Sequence, residues 1–173
     1  MKKILVLLTA ILIFSGCTDR KMQKAEAINA AENELMHQDS LPVDVDKAGK
    51  LVVLYSEFVN DYPYDSMAPG MLFKEAEILM SINKPEKAVS VIDSLIAGYP
   101  DCDLLPQAMH LKGFIYDDKL GSTEMARISF EALIKRFPDH ELSKNAEAYL
   151  KILGKSPEEI IKEFEKMNND SLK

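Results

Sequence analysis

The sequence predicts an all-α chain built as a short solenoid of helical hairpins, and three observations carry that prediction. First, three segments of the 173-residue chain repeat one pattern: residues 54–63 (LYSEFVNDYP), 91–100 (VIDSLIAGYP) and 129–138 (SFEALIKRFP). Each ends in an aromatic residue followed by proline, and Pro63, Pro100 and Pro138 lie 37 and 38 residues apart. Such a period marks a repeat array, in which one unit buries its apolar face only against its neighbours. Second, the apolar residues before each proline recur at helical spacing: Ala88, Val91, Ile92, Leu95 and Ile96 in one copy, Ala126, Phe130, Leu133 and Ile134 in the next. Third, the chain is 47% hydrophobic and 28% charged, which is too apolar for disorder and too charged for a multi-span membrane protein.

The elements follow in order from the amino terminus. Lys2 and Lys3 precede an apolar run, Ile4–Phe14, that is shorter than the roughly 20 residues of a spanning helix. A basic start with a short apolar core makes a secretory signal. Its end, Phe14-Ser15-Gly16-Cys17, resembles a bacterial lipobox, although Phe14 stands where Leu is more usual. That resemblance implies residues 1–16 as signal peptide, cleavage after Gly16 and acylation of Cys17; the alternative is an ordinary cysteine after an ordinary signal. Several acyl chains on one residue hold a protein firmly where one does not. The following residues, Thr18-Asp19-Arg20-Lys21, lack an Asp directly after the cysteine and lack an acidic cluster. By resemblance to sorting signals this favours the periplasmic face of the outer membrane over the inner membrane or the cell surface.

Residues 17–45 hold the lipidated cysteine and either a tether or a first helix. Asp19–His37 carries a stripe of Met22, Ala25, Ile28, Ala31, Glu32 and Leu35, and both alternatives stand at this point. Residues 38–45, with Pro42, form a loop. Residues 46–153 are the repeat domain, starting with a helix over Asp46–Tyr62. After each proline a further helix begins, over Met71–Leu79, Ala108–Tyr116 and Ala146–Leu153. Proline lacks an amide donor and pushes the preceding residue out of the helical region, so it closes each helix before it. Ser143–Leu153 caps the array and Gly154 ends it. Residues 154–173 form a last helix opened by Ser156, Pro157, Glu158 and Glu159, with Ile160, Ile161 and Phe164 laid back on the array and 168–173 fraying.

Over residues 46–153 the pattern resembles the tetratricopeptide repeat. Ala76, Ala88, Ile92, Leu95 and Pro100 follow its order of small, small, large, large and proline without a gap. Gly113, Ala126, Phe130, Leu133 and Pro138 follow it with one inserted residue, and Tyr116 takes the usual aromatic position. Small residues suit that order because two helices approach closely only where side chains are minimal. Glu75 and Lys112 depart from the pattern by standing where Leu is usual, and the period exceeds the common ~34 residues. Longer linkers of this kind resemble bacterial envelope lipoproteins, including outer-membrane assembly and Tol–Pal-associated types. The resemblance implies that the first helix of each pair lines a groove for a peptide or protein. The matching positions are Phe73, Glu77 and Met80 in one pair, and His110, Phe114 and Asp117 in the next. The alternative for Phe73 and Phe114 is packing between adjacent helices.

Charge and motifs exclude several function classes. Lys and Arg number 21 against 28 Asp and Glu, a net charge of −7, which offers no basic surface to a nucleic acid. The glycines form no phosphate-binding or dinucleotide pattern. His37, His110 and His140 have no metal-ligand spacing, so no metal and no cofactor is expected. Asp44/Asp46 and Asp101/Asp103 resemble calcium-loop spacing, but Tyr55 and Lys112 stand where the bidentate Glu belongs, so helix capping is expected of them. Asp117 and Asp118 are adjacent and point to different sides of a helix. Cys102, between Asp101 and Asp103, is disfavoured as a thiolate. Met71, Met80, Met109 and Met125 are expected as core filler. No catalysis and no small-molecule substrate are expected. The expected function is a lipid-anchored periplasmic adaptor that binds a protein partner in envelope assembly or maintenance. Its rivals are a constitutive structural subunit of a larger outer-membrane complex and a weak peptidoglycan or glycan binder, the latter disfavoured by the absence of Trp.

Overall fold

Proline and capping residues divide the chain into helices α1 (Lys2–Met36), α2 (Val45–Asp61), α3 (Ala68–Ser81), α4 (Pro85–Gly98), α5 (Leu105–Phe114), α6 (Thr123–Arg136) and α7 (Glu141–Leu150). The computed structural model describes the backbone of residues 2–36, 43–162 and 165, and side chains from residue 19 onward within those ranges. His37, most of the 38–45 loop, Phe164, residues 168–173 and the side chain of Cys17 lie outside the described residues.

Helix starts and stops have local causes. Pro69, Pro85 and Pro106 stand in the first turns of α3, α4 and α5, where the missing amide would be unbonded anyway. Asp44 caps α2 by accepting from the amides of Asp46 and Lys47 at 3.0 and 3.1 Å. The three aromatic–proline steps share one geometry. Tyr62, Tyr99 and Phe137 each have φ of −132° and ψ near 60°, outside the helical region, as the following proline demands. Each still donates its amide back one turn, to Phe58, Leu95 and Leu133 at 2.8, 3.0 and 2.9 Å.

The chain divides into two compact units, Met1–Cys102 and Asp103–Lys173. In the first, α1 packs on α2, α2 on α3 and α3 on α4. Ile28 of α1 is buried with Leu51, Tyr55, Phe58 and Met71, and Ala25, Ala31 and Leu35 flank it. Asp19–Met36 is therefore a packed helix and not a tether. Burying Ile28 alone is worth about 1.5–3 kcal/mol. Ion pairs from Lys21 to Asp65 (2.8 Å) and from Lys24 to Glu57 and Asp61 (3.1 and 3.0 Å) add little, about 0–1 kcal/mol each. Met22, expected on the apolar stripe, is turned out to solvent. Between α3 and α4 the small residues Ala76 and Ala88 are fully buried, as are Ile92 and Leu95.

In the second unit α5 packs on α6 and both contact α7. A π-helical turn, Ile115–Lys119, continues α5. Its signature is the amide of Leu120 donating to the Ile115 carbonyl, five residues back, at 3.1 Å. One extra residue in a helix is accommodated in this way, and it falls where the repeat pattern carries its inserted residue. Beyond α7 the chain turns through 151–154, with Gly154 at φ +79°, so the expected helix over Ser143–Leu153 ends early, at Leu150. Leu153 is nevertheless buried. Residues 157–162 are helical and open with a reciprocal cap, in which the Glu159 amide donates to the Ser156 hydroxyl and the Ser156 amide to the Glu159 carboxylate. Ile161 there faces solvent, against expectation, as does much of Met125. The residue before α5 is Leu104, with no side-chain cap bond, so Asp103 does not cap that helix.

Among the described residues there is no strand, and within each unit every helix packs on the next, so the fold is all-α, of the tetratricopeptide-like helical-hairpin solenoid class. Among the same residues no helix is long and apolar enough to cross a membrane.

Candidate functional site

In the first unit a pocket of about 160 Å³ opens between α1 and α3, with α2 as its floor. Leu35, Met36, Leu51 and Ile78 give it apolar walls, and Glu32, Lys74 and Glu77 stand at its rim. The Tyr55 hydroxyl and the Lys74 ammonium both donate to Glu32 Oε1, at 2.6 and 2.8 Å. Burial pushes the Glu32 carboxyl up, but the bonds from Lys74 and Tyr55 outweigh it and hold the group below the usual carboxylate range. Burial, reinforced by Glu32, pushes the Tyr55 phenol well up. Glu32 is thereby a fixed anion satisfied from two sides, and Glu77 is exposed beside it. Such a pocket holds one apolar side chain and places carboxylates beside its neighbours.

Of the groove residues expected from sequence in this unit, Glu77 lines the pocket. Phe73 and Met80 are half-buried on α3. The sequence places Leu35 on the α1 stripe but does not show its convergence with Met36 and Ile78, which depends on how α1 docks and leaves no trace in local sequence.

In the second unit His110 and Phe114 lie with ring centroids 4.8 Å apart, both against the fully buried Phe130 (5.8 and 5.3 Å). Tyr149 of α7 closes the cluster at 4.9 Å from Phe114 and 5.4 Å from Phe130. Most of these pairs meet edge to face, the arrangement aromatic quadrupoles favour. Burial lowers the His110 pKa and so keeps the ring neutral at pH 7. Gly113 explains how α6 comes so close: a Cβ there would sit 2.5 Å from the Phe130 ring. Asp117 accepts a short hydrogen bond from the Tyr149 hydroxyl, and that bond, with burial, pushes the phenol up to about 12. Asp118 turns instead to Lys119, at 2.7 Å. A cleft of about 520 Å³ adjoins Asp117 and Tyr149, walled by Ile152, Leu153, Lys155 and Ile160. His110 and Phe114 are thus half-buried in a packed cluster, and Asp117 is tied to α7.

The two departures from the repeat pattern have partners. Glu75 is buried and accepts from the Ser56 hydroxyl at 2.6 Å. Lys112 lies 5.8 Å from the centre of the Tyr116 ring, one turn on. Among the described residues no group of three or more His, Cys, Asp or Glu gathers to hold a metal ion, and Cys102 is in no disulfide.

No curated protein matches the chain. The family model for the tetratricopeptide repeat matches residues 107–140. That stretch takes in most of α5, the π-helical turn, all of α6 and the Phe137–Pro138 step. The chain therefore contains a tetratricopeptide repeat, a protein-interaction fold without catalytic machinery of its own.

Proposed function

We propose that this protein is a lipid-anchored adaptor that holds a protein partner at the periplasmic face of a bacterial outer membrane, in envelope assembly or maintenance. The repeat supports protein binding as its general mode of action. The lipobox-like Phe14-Ser15-Gly16-Cys17 supports the anchor, and Thr18 after it supports the outer membrane. The observation that carries the reading is the α1–α3 pocket: apolar inside, acidic at the rim, and bordered by the exposed Glu77. An apolar side chain of a partner helix or extended segment, next to a basic residue, fills it.

The structure also selects the test. Phe114→Ala and His110→Ala would disturb a packed aromatic cluster, whereas Glu77→Arg reverses a charge at an exposed position. In whole cells the Glu77→Arg variant loses a cross-linked partner while its helicity and melting stay as in the parent. Retention of that partner would remove the pocket from the site. Cys17→Ser leaves an unacylated protein that leaves the membrane fraction; unchanged attachment would contradict the anchor.

A further inference from the structure

A second cleft lies on the opposite side of α3. Successive residues of a helix turn by about 100°, so Glu75 points away from Phe73, Glu77 and Met80. There Ser56, Val59 and Asn60 of α2, Glu75 of α3, and Val91 and Ser94 of α4 line a cleft of about 270 Å³. Tyr99 stands at its edge, fixed by a 2.7 Å hydrogen bond from its hydroxyl to the Pro63 carbonyl. The volume falls just below the ~300–1,000 Å³ of small-molecule pockets and suits a single side chain.

Glu75 gives this cleft its chemistry. Its residue is only 5% exposed, yet its Oε1 is served by the neutral Ser56 hydroxyl, and no described cation pairs with it. Its sequence neighbour Lys74 is engaged on Glu32 instead. Every fully enclosed side-chain oxygen among the described residues has a hydrogen-bond partner. Ser56 bonds Oε1, so Oε2, without a described partner, opens to the cleft. Burying a carboxylate without a countercharge is costly, and the repeat pattern would place an apolar residue here. Burial accordingly raises the carboxyl's pKa. An incoming cation relieves that cost, and a chain of net charge −7 attracts basic partners.

We propose that this cleft receives a lysine side chain of a partner protein, with the ammonium on Glu75 Oε2. Arginine's bidentate fork would have to share Oε1 with the Ser56 hydroxyl, whereas a lysine ammonium, a compact charge, needs Oε2 alone. An ammonium has three donors, and besides Glu75 the cleft is lined by Asn60 and Ser94, whose side chains carry acceptor oxygens. The aliphatic stem lies along Val59 and Val91. The inference rests on the adaptor reading only for the source of the lysine, since the cleft lies apart from the α1–α3 pocket.

The test titrates the isotope-labelled full-length chain in detergent with Nα-acetyl-lysine methylamide, followed by amide chemical shifts. Saturable shifts at Ser56, Asn60 and Ser94 are expected, with none from the uncharged norleucine analogue. Glu75→Gln, which keeps the shape and the Ser56 bond, weakens the lysine probe at least tenfold without lowering the melting temperature. Equal response to both probes, equal binding by Glu75→Gln, or no saturable shift overturns the proposal and leaves Glu75 as a packing contact for Ser56. If lysine binding fails while cross-linking at Glu77 persists, this inference alone falls. If cross-linking fails while lysine binding persists, the adaptor reading falls.

Discussion

Hairpins α3–α4 and α5–α6 follow one sequence pattern and fill their interiors in different ways. In α3–α4 two fully buried alanines, Ala76 and Ala88, set the approach of the helices, and aliphatic Ile92 and Leu95 fill the space. In α5–α6 the approach is set by Gly113, against which the Phe130 ring lies directly. Phe130 gathers His110, Phe114 and Tyr149 around it, so this hairpin is completed by α7. The inserted residue belongs to the same solution, since the π-helical turn carries Asp117 to its bond with Tyr149. The lesson is that the pattern fixes where helices touch, while the large residue chosen fixes how many neighbours are needed.

Five substitutions test that contrast, beginning with the largest effect. Phe130→Ala removes a fully buried ring from the cluster and costs about 3–5 kcal/mol in urea unfolding. A loss below 1 kcal/mol would mean the cluster does not organise the second unit. Gly113→Ala places a methyl inside contact distance of that ring. Overpacking of about 1–3 kcal/mol set against a helix-propensity gain of about 1 kcal/mol lowers stability by up to about 2 kcal/mol. The matched change Ala76→Gly in α3 probes propensity and a small void instead, without any clash.

Tyr149→Phe deletes the bond to Asp117 and costs about 1 kcal/mol at pH 7. The phenol's folded-state pKa is raised, so its contribution is fully present below the unfolded value of ~10 and is lost as pH rises through about 12. The difference between parent and Tyr149→Phe therefore shrinks across that window in urea titrations. Glu75→Gln gives the smallest and most pH-dependent effect. The folded-state carboxyl is raised above the unfolded value of ~4.3, so the parent's own stability is highest below that pH and falls as pH climbs through the folded value. Urea midpoints should converge near pH 4 and favour Glu75→Gln at pH 7; a constant offset would mean Glu75 keeps the same charge in both states.

What could be seen in the sequence was local. The aromatic–proline steps are legible because proline acts on its immediate neighbour, and all three copies take the same backbone angles. The small residues were legible because close approach leaves no alternative. The single inserted residue was visible as a count, but the i to i+5 hydrogen bond that absorbs it was not. Periodicity misplaced Met22 and Ile161, since a stripe continues past the point where a neighbouring helix covers it. The α1–α3 pocket needed the docking of α1, which the stripe on Asp19–His37 suggested without giving its register. Glu75 showed itself as a polar residue at an apolar position; its partner Ser56, on another helix, could not be inferred from spacing.

The central claim is that this protein works by holding another protein at the α1–α3 pocket. A photo-activated cross-linking residue placed at Glu77 in whole cells tests it, with the fully exposed Tyr64 as control position. The account predicts one reproducible adduct from position 77, weak or absent from position 64, and lost when Ile78→Asp spoils the pocket wall. The same adducts from both positions, or none from either, would contradict it.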